Sequence, residues 1–249
     1  MPSELSRALA FQRGFVRRRA PRTVDVPGGF AVLDDRYPGS YDDNKLILWD
    51  AGDPATVLRT AEEVLAGFEH RLVHVDDDEL GAALTPAFTA AGYRPAVNLV
   101  MAFHGDPPGG EPAAEHLDLE TLVPVLRRHW RESLPDAPEP TIEQLARRVE
   151  TRLRGADLVG FRGVRAADGE LAARADLYVH DGVAQIEDVY TALRHRGRGH
   201  ARTLLRSLLA EAAGGEPVFL VADADDWPKD FYARLGFAGI GRTHTFLRT

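Results

Sequence analysis

The chain has 249 residues, which is long for one compact domain and suits two domains of about a hundred residues or more. Hydrophobic residues make up 44% and charged residues 27%, so either half can build a core. The absence of cysteine excludes disulfides, thiolate zinc sites and cysteine nucleophiles. A net charge of −8 argues against binding to nucleic acid, which depends on neutralising phosphates.

The beginning of the chain lacks the apolar core of a secretory signal, and no apolar run is long enough to span a membrane. We therefore expect a cytoplasmic protein with no membrane partner. An arginine-rich run, residues 13–22, is a local exception to the acidic balance. We interpret it as a solvated helix face, with contact to nucleic acid as the alternative.

A segment dominated by glycine and proline, residues 104–112, is the clearest boundary in the chain. It predicts a first domain over residues 1–104, a linker over 105–112 and a second domain over 113–249. In the first domain, hydrophobic runs and turn residues predict strands over 46–49, 70–75 and 97–103. They also predict one helix over 54–68 and a second helix that ends with the segment 87–93.

The second domain reads as a mixed α/β unit. Thr141 resembles a helix N-cap, and Pro228 suits a first helical turn. The predicted helices cover residues 119–133, 141–153, 202–213 and 228–235, and the predicted strands cover 158–164, 171–179, 184–191, 218–222 and 237–247. The first domain partly repeats this order of elements, which indicates two copies of one architecture. The alternative is coincidence between two strand–helix–strand segments.

The most informative segment joins the strand 184–191 to the following helix through a short loop with two glycines, Gly197 and Gly199. Such a loop lets backbone N–H groups converge where the helix dipole is positive, which makes an anion site. Arg196 and Arg198 add positive charge that suits phosphate. The segment has neither the Gly-Lys-Ser/Thr ending of a P-loop nor a G-x-G-x-x-G spacing.

This turn resembles the signature Q/R-x-x-G-x-G/A of the GNAT superfamily of acetyl-CoA-dependent N-acyltransferases. Arg194-x-x-Gly197-x-Gly199 fits it, and so does Arg196-x-x-Gly199-x-Ala201, which we prefer because Ala201 then begins the helix. The segment Asp230-Phe-Tyr-Ala-Arg-Leu-Gly-Phe237 stands where the family has F/L-Y-x-x-x-G-F. The resemblance implies a mixed, mostly antiparallel sheet flanked by helices, in a tandem of two similar domains.

The resemblance also implies roles for particular residues. Tyr232 occupies the position of the acid that protonates the departing thiolate, with helix packing as the alternative role. The expected contacts of acetyl-CoA, the implied cofactor, are the strand backbone and the phosphate turn: Val189, Tyr190, Thr191, Arg196, Gly197, Arg198, Gly199, His200 and Ala201.

The general base is expected just upstream on the same strand, where family members carry an acid. Consecutive strand residues face opposite sides, so at most one of Glu187 and Asp188 points into the cleft. We choose Glu187, which shares parity with Val189 and Thr191. Pairing with an arginine such as Arg174, or plain solvation, is the alternative.

The sequence departs from the family pattern in two places. Leu193 replaces a proline before the turn, and Asp225 replaces an asparagine that is expected to contact the cofactor arm. The negative charge of Asp225 puts that hydrogen bond in doubt. The three histidines His195, His200 and His244 show no metal-ligand spacing, and we expect surface or loop positions for them.

The first domain lacks the phosphate turn, and Asp53 stands at the N-cap of the corresponding helix, where it would repel a phosphate. We expect a degenerate copy that forms one wall of the acceptor cleft and makes the protein a monomer through internal pairing. The predicted function is transfer of an acetyl group to a primary amine of an unidentified small molecule or peptide. The alternatives are another acyl group, an alcohol acceptor, or a non-catalytic sensor of acyl-CoA.

Overall fold

A computed structural model describes residues 2–109 and 113–249 of the chain. The helices are α1 Glu4–Arg19, α2 Pro54–Val64, α3 Asp78–Ala90, α4 Leu119–Ser133, α5 Glu139–Arg147, α6 Val149–Arg152, α7 His200–Glu211 and α8 Pro228–Ala233. The strands are β1 Arg22–Val26, β2 Gly29–Leu33, β3 Lys45–Leu48, β4 Arg71–Val75, β5 Arg94–Phe103, β6 Glu115–Leu117, β7 Leu158–Arg165, β8 Leu171–His180, β9 Val183–Thr191, β10 Val218–Asp223 and β11 Phe237–Arg248. Part of the predicted linker, residues 110–112, lies outside the described residues.

The described strands form one 11-stranded sheet in the order β1-β2-β3-β4-β11-β5-β10-β9-β8-β7-β6. Two neighbouring pairs are parallel, β3 with β4 and β9 with β10, and the other pairs are antiparallel. The predicted mixed, mostly antiparallel sheet flanked by helices is therefore confirmed.

The two halves of the chain repeat one order of elements and exchange their last strands. In the first half β4, α3 and β5 follow one another, and in the second half β10, α8 and β11 do the same. Yet β5 pairs with β10, β11 pairs with β4, and β5 and β11 pair with each other. The sheet is therefore continuous through the centre of the molecule, where each half supplies a strand to the other.

Helices cover both faces of this sheet. On one face α7 packs its leucine stripe (Leu204, Leu205, Leu208 and Leu209) against β7 to β10, while α2 and α3 cover the strands of the first half. On the opposite face α1 spans the centre, with Phe11 and Phe15 against Tyr178 and Phe219. Each fully buried leucine or phenylalanine contributes about 1.5–3 kcal/mol, so these contacts hold the helices in place.

Two local expectations are wrong. The predicted N-cap Thr141 lies inside α5, which begins at Glu139 after Pro138, because prolines fit the first turn of a helix. The arginine run is only partly a solvated face. Arg19 is buried and its Nη1 lies 3.3 Å from Asp43 Oδ1, while Arg18 Nε donates to the carbonyl oxygen of Gly155 over 2.7 Å.

No helix within residues 2–109 and 113–249 is both long and apolar enough to cross a lipid bilayer.

Candidate active site

The turn between β9 and α7 leaves the N-terminal end of α7 open. Gly197 and Gly199 have φ angles of +73° and +87°, in the left-handed region that glycine adopts without strain. Gly199 is the N-cap of α7 and has no side chain, so no side-chain oxygen caps the first N–H groups of the helix. These groups and the positive end of the helix dipole are therefore free to bind an anion.

The strand that leads into this turn separates from its parallel neighbour. β9 pairs with β10 only at Ala184 and Gln185, so from Ile186 onward the edge of β9 that faces β10 is unpaired. Unpaired strand backbone is a ready partner for an extended ligand. The separation of the two strands thus places free backbone groups directly beside the open helix end.

A cavity of about 500 Å³ lies beside this turn, between the end of β9 and α8. Of the predicted cofactor residues, eight line it: Val189, Tyr190, Thr191, Arg196, Gly197, Gly199, His200 and Ala201. Arg198 and Asp225 are exposed and are not among the lining residues, whereas Asp226 is. The Asp225 side chain makes no hydrogen bond with the described cavity residues. The backbone N–H of Asp225 donates to Asp223 Oδ1 over 2.8 Å.

Aromatic residues that sequence reasoning missed line the other side of the cavity. Trp227 is 61% exposed, and the centre of its ring lies 6.3 Å from that of Phe231. An exposed indole is unusual unless it contacts a ligand or partner. The only sequence signal was their position, since Phe231 is the first residue of the F/L-Y-x-x-x-G-F segment and Trp227 stands shortly before it. Together with the charged turn, they give the cavity one polar end and one apolar wall.

Two of the three histidines are buried. The expectation of surface or loop positions is wrong for His244, which lies in β11, whereas His195 lies in the turn before α7 but not at the surface. His195 is 2% exposed, lines the cavity, and has no hydrogen-bond partner for Nδ1. His244 packs in the first half, where Nε2 lies 2.7 Å from Asp78 Oδ1. His195 therefore offers the cavity a further nitrogen, because a buried ring nitrogen without a partner is available to a ligand.

Tyr232 lies on α8 with its ring largely buried and at the wall of the same cavity. Burial, together with the negative charge of Glu187, raises the pKa of Tyr232 to about 12. The phenol therefore keeps its proton at neutral pH and is able to donate it. Of the two predicted catalytic residues, Tyr232 lines this cavity and Glu187 does not.

A β-bulge at Asp188 interrupts the alternation of side chains along β9. Asp188 has a φ of +55°, and the pairing with β8 shifts register between Arg174 and Asp176. The parity argument that linked Glu187 to Val189 is therefore wrong, because the strand changes face between them. The carboxylate of Asp188 is held by Arg174 Nη1 at 2.8 Å and by Arg152 Nη1 at 2.9 Å.

These ion pairs give the neighbouring carboxylates different pKa values. Burial disfavours the charge of Asp188, but the guanidinium groups of Arg174 and Arg152 outweigh it and lower the pKa. Glu187 forms no ion pair with any residue that the structure describes; its Oε2 accepts a hydrogen bond from Gln185 Nε2 over 2.6 Å. Burial, with the charge of Asp188, raises the pKa of Glu187 to about 7. Glu187 is thus suited to exchange a proton near neutral pH.

An acidic loop of the first half, residues 34–44, packs against the helices beside Glu187. Arg148 Nη1 lies 3.2 Å from Asp42 Oδ2 and 3.1 Å from Ser40 Oγ. Arg154 Nη2 donates to the carbonyl oxygen of Arg19 over 2.7 Å. The charge of Asp42 is among those that raise the pKa of Glu187, after burial and Asp188. The first half therefore contributes to the electrostatics around Glu187.

The helix of the first half that corresponds to α7 has a closed N-terminal end. Asp53 is the N-cap of α2, as predicted, and accepts hydrogen bonds from the backbone N–H of Thr56 at 3.0 Å and from its hydroxyl at 2.7 Å. These hydrogen bonds lower the pKa of Asp53, so it is ionised at neutral pH. A carboxylate thus occupies the position that an anionic ligand takes at an open helix end.

A larger cavity of about 680 Å³ lies at the junction of the two halves, beside four consecutive acids, Asp76, Asp77, Asp78 and Glu79. Three of them already have partners. Asp77 caps α3, Asp78 binds His244, and Asp76 lies 2.9 Å from His74 Nε2. The helix end at this cavity, that of α3, is closed by the Asp77 side chain, so this cavity lacks the open helix end of the first one.

Residues 119–237 match a sequence model described as the acetyltransferase (GNAT) family. The match covers β7 to β10, the turn before α7 and the segment with Tyr232. Residues 119–237 therefore contain a GNAT acetyltransferase domain, and members of that family typically bind acyl-CoA. A sequence search of curated proteins returned no match.

Similar folds are present in solved structures. A GCN5-related N-acetyltransferase from Kribbella flavida is 20% identical with a TM-score of 0.62, covering 99% of this chain and 95% of that one. A functionally unknown conserved protein from Staphylococcus epidermidis is 14% identical with a TM-score of 0.66, covering 90% and 92%. A tandem GNAT protein from the clavulanic acid biosynthesis pathway is 17% identical with a TM-score of 0.54, covering 96% and 86%. At these identities the similarity concerns the fold, and it includes a tandem arrangement.

Proposed function

We propose that this chain is an acyl-CoA N-acyltransferase that transfers the acetyl group of acetyl-CoA to a primary amine while both are bound. The observation that carries the proposal is one cavity that contains the open N-terminal end of α7 and the protonated phenol of Tyr232. The N–H groups of the turn, with Arg196, suit a pyrophosphate. The unpaired edge of β9 suits an extended arm.

Bound acetyl-CoA would supply the acetyl thioester, and the residues of the chain would handle the protons. The carboxylate of Glu187 takes a proton from the ammonium group of the acceptor, which frees the nitrogen lone pair for attack. When the carbon–sulfur bond breaks, the Tyr232 hydroxyl donates its proton to the departing sulfur. The second proton, which the nitrogen loses as the amide forms, restores the Tyr232 hydroxyl. Glu187 has the pKa that a base needs near neutral pH, and Tyr232 has the proton that an acid needs.

A thiol-release assay with acetyl-CoA and a mixed panel of amines tests the proposal, together with a calorimetric titration of acetyl-CoA. We expect thiol release with at least one amine and one binding site per chain, since Asp53 closes the corresponding helix of the first half. Binding without release for every amine and for longer acyl donors would favour a sensor. Two equivalent sites per chain would contradict the role given to Asp53.

We also propose that the first half is a structural partner that forms one wall of the acceptor cleft. The contacts of Arg148 with Ser40 and Asp42, and the exchange of β5 and β11, support this role. Because each half completes the sheet of the other, a single chain would not need a second copy. We therefore expect a monomer in solution.

A further inference from the structure

A second, smaller cavity lies on the other side of Tyr190, under α4. This α4 cavity has a volume of about 250 Å³ and lies between α4, the beginning of β8 and the end of β9. Its polar lining residues are Arg128, His129, Glu132, Glu170, Arg174 and Arg194. Tyr190 lines both this cavity and the one beside the phosphate turn. The two cavities are thus neighbours along the same strand.

Two residues that line the α4 cavity each have a buried nitrogen atom without a hydrogen-bond partner among the described residues. The side chain of Arg174 is 3% exposed, and its Nε is buried without an acceptor. Nδ1 of His129 is likewise buried and without a partner. Buried polar groups are nearly always satisfied in folded proteins. Two unsatisfied nitrogens that line one cavity therefore indicate a ligand with an acceptor group.

The charges around the α4 cavity favour an anionic acceptor group. Glu170 is already paired with Arg194, and Arg174 retains Nε after pairing with Asp188. Arg128 and Glu132, both exposed at the rim, offset each other. Burial, with the positive charge of Arg174, lowers the pKa of His129, so its ring is neutral at neutral pH and donates one N–H. The deepest donors are therefore one guanidinium and one imidazole.

Arg174 connects the α4 cavity to the reacting end of the site. Its Nη1 holds Asp188 at the β-bulge, next to Glu187, and its guanidinium carbon lies 5.3 Å from the centre of the Tyr190 ring. The ring of His129 also packs against Tyr190, with 4.1 Å between the two ring centres. A ligand in the α4 cavity would thus lie a few side chains from the proposed base.

We propose that the α4 cavity binds a carboxylate of the acceptor, so that the acceptor is an aminocarboxylate, with Arg174 Nε and His129 Nδ1 as the donors. A carboxylate has two oxygens able to accept both hydrogen bonds. The identification of the ligand as the acceptor rests on the acyltransfer proposed above. The binding of a carboxylate stands on the geometry of the cavity.

The catalytic test compares matched acceptors, β-alanine with ethylamine and 4-aminobutyrate with propylamine. His129→Phe keeps an aromatic ring against Tyr190 but removes Nδ1, and the exposed His116 supplies the control His116→Phe. We expect lower KM values for the aminocarboxylates in the wild type. His129→Phe should raise those KM values by roughly tenfold or more, the range of a hydrogen bond to a charged group, and should raise the KM of the plain amines far less.

The binding test does not need catalysis. Protein with ¹⁵N-labelled histidine is titrated with propionate, and with propylamine as the matched cation. We expect a saturable shift of the His129 resonance with propionate alone. If no amine is acetylated but propionate still shifts His129, the acyltransfer proposal fails and the carboxylate site stands. If amines are acetylated but a carboxylate brings neither a lower KM nor a shift, the carboxylate site is wrong.

Discussion

The residues of the site differ in charge because their surroundings differ. Glu187 and Asp188 are neighbours in sequence, yet only Asp188 receives two arginines. The pKa of Asp188 falls and that of Glu187 rises to about 7. Tyr232, buried and near the Glu187 carboxylate, keeps its proton because its pKa rises to about 12. Glu187 is thus suited to accept a proton and Tyr232 to donate one.

At this scale we expect Tyr232→Phe to lower turnover by roughly a hundred- to ten-thousandfold, the range for removal of one general acid. The affinity for acetyl-CoA should stay nearly constant, because the ring remains in place. Steady-state kinetics and calorimetry measure the two quantities. Tyr41→Phe, at an exposed tyrosine of the first half, is the control. Full turnover in Tyr232→Phe would leave the tyrosine with a packing role only.

The ionisation of Glu187 should determine how kcat/KM depends on pH. A base acts in its ionised form, so with a pKa of about 7 the wild-type kcat/KM should fall as the pH drops through 7. Glu187→Gln removes the carboxylate, so the ratio of wild-type to variant rate should rise with pH through this region. The exposed Glu63→Gln is the control. Parallel pH–rate profiles for Glu187→Gln and the wild type would remove Glu187 as the base.

The Glu187 carboxyl has a higher pKa in the folded protein than in the unfolded chain. The free energy of unfolding of the wild type should therefore fall as the pH rises from the ordinary pKa of a glutamate to about 7. Glu187→Gln should therefore gain stability relative to the wild type above pH 7 and show little difference near pH 4. Denaturant unfolding at the two pH values measures this. This gain, with a loss of rate, is the pattern expected when a functional group is held in an unfavourable environment.

Among the elements, α7 and α2 differ at their N-terminal ends: the end of α7 is open to a ligand, and the end of α2 is closed by a side chain. Both helices follow a parallel strand in corresponding positions of the two halves. Gly199 leaves the end of α7 open, while the Asp53 carboxylate closes the end of α2. One residue type at the N-cap therefore decides whether the positive helix end binds a ligand or a side chain.

We expect Gly199→Val to abolish or strongly weaken acetyl-CoA binding. A Cβ at Gly199 would meet nothing within 4 Å, so the effect would come from the φ of +87°, which valine resists by roughly 1–2 kcal/mol, and from the shift of the turn N–H groups. Gly52→Val is the matched control, because Gly52 stands in the corresponding turn, has open space and no positive φ. Calorimetry measures affinity, and circular dichroism checks the fold. Unchanged affinity in Gly199→Val would mean that another segment holds the phosphates.

For the whole molecule, the exchange of β5 and β11 makes the two halves interdependent. The partners of β11, a strand of 12 residues, are β4 and β5, which both belong to the first half. β10 similarly loses β5 if the halves are separated. Open strand edges of this length are a hazard for aggregation.

We therefore expect the fragment 113–249, expressed alone, to be insoluble or to self-associate. Co-expression with the fragment 1–109 should restore a soluble complex, since β5 then pairs again with β10 and β11. Size-exclusion chromatography of both preparations measures the outcome. A monomeric, fully active fragment 113–249 would show that the shared sheet is not needed for the fold of the second half.

Much of the second half follows from local sequence alone. Hydrophobic periodicity predicts α4 at its observed bounds and places the strands β7, β8 and β9 within a residue or two, because each element buries one continuous apolar face. The two glycines of the turn and the Asp53 cap of α2 were also readable, since they depend on neighbouring residues only.

The tertiary structure alone decided three further features. The exchange of β5 and β11 depends on which strands meet, and periodicity carries no information about partners. The bulge at Asp188 breaks the alternation on which the choice of Glu187 was argued, and it is held by Arg152 and Arg174 from distant elements. The burial of His195 and the pairing of the acidic loop with Arg148 arise in the same way. Sequence encodes the local shape of each element, whereas the charge state of a site depends on groups that only folding brings together.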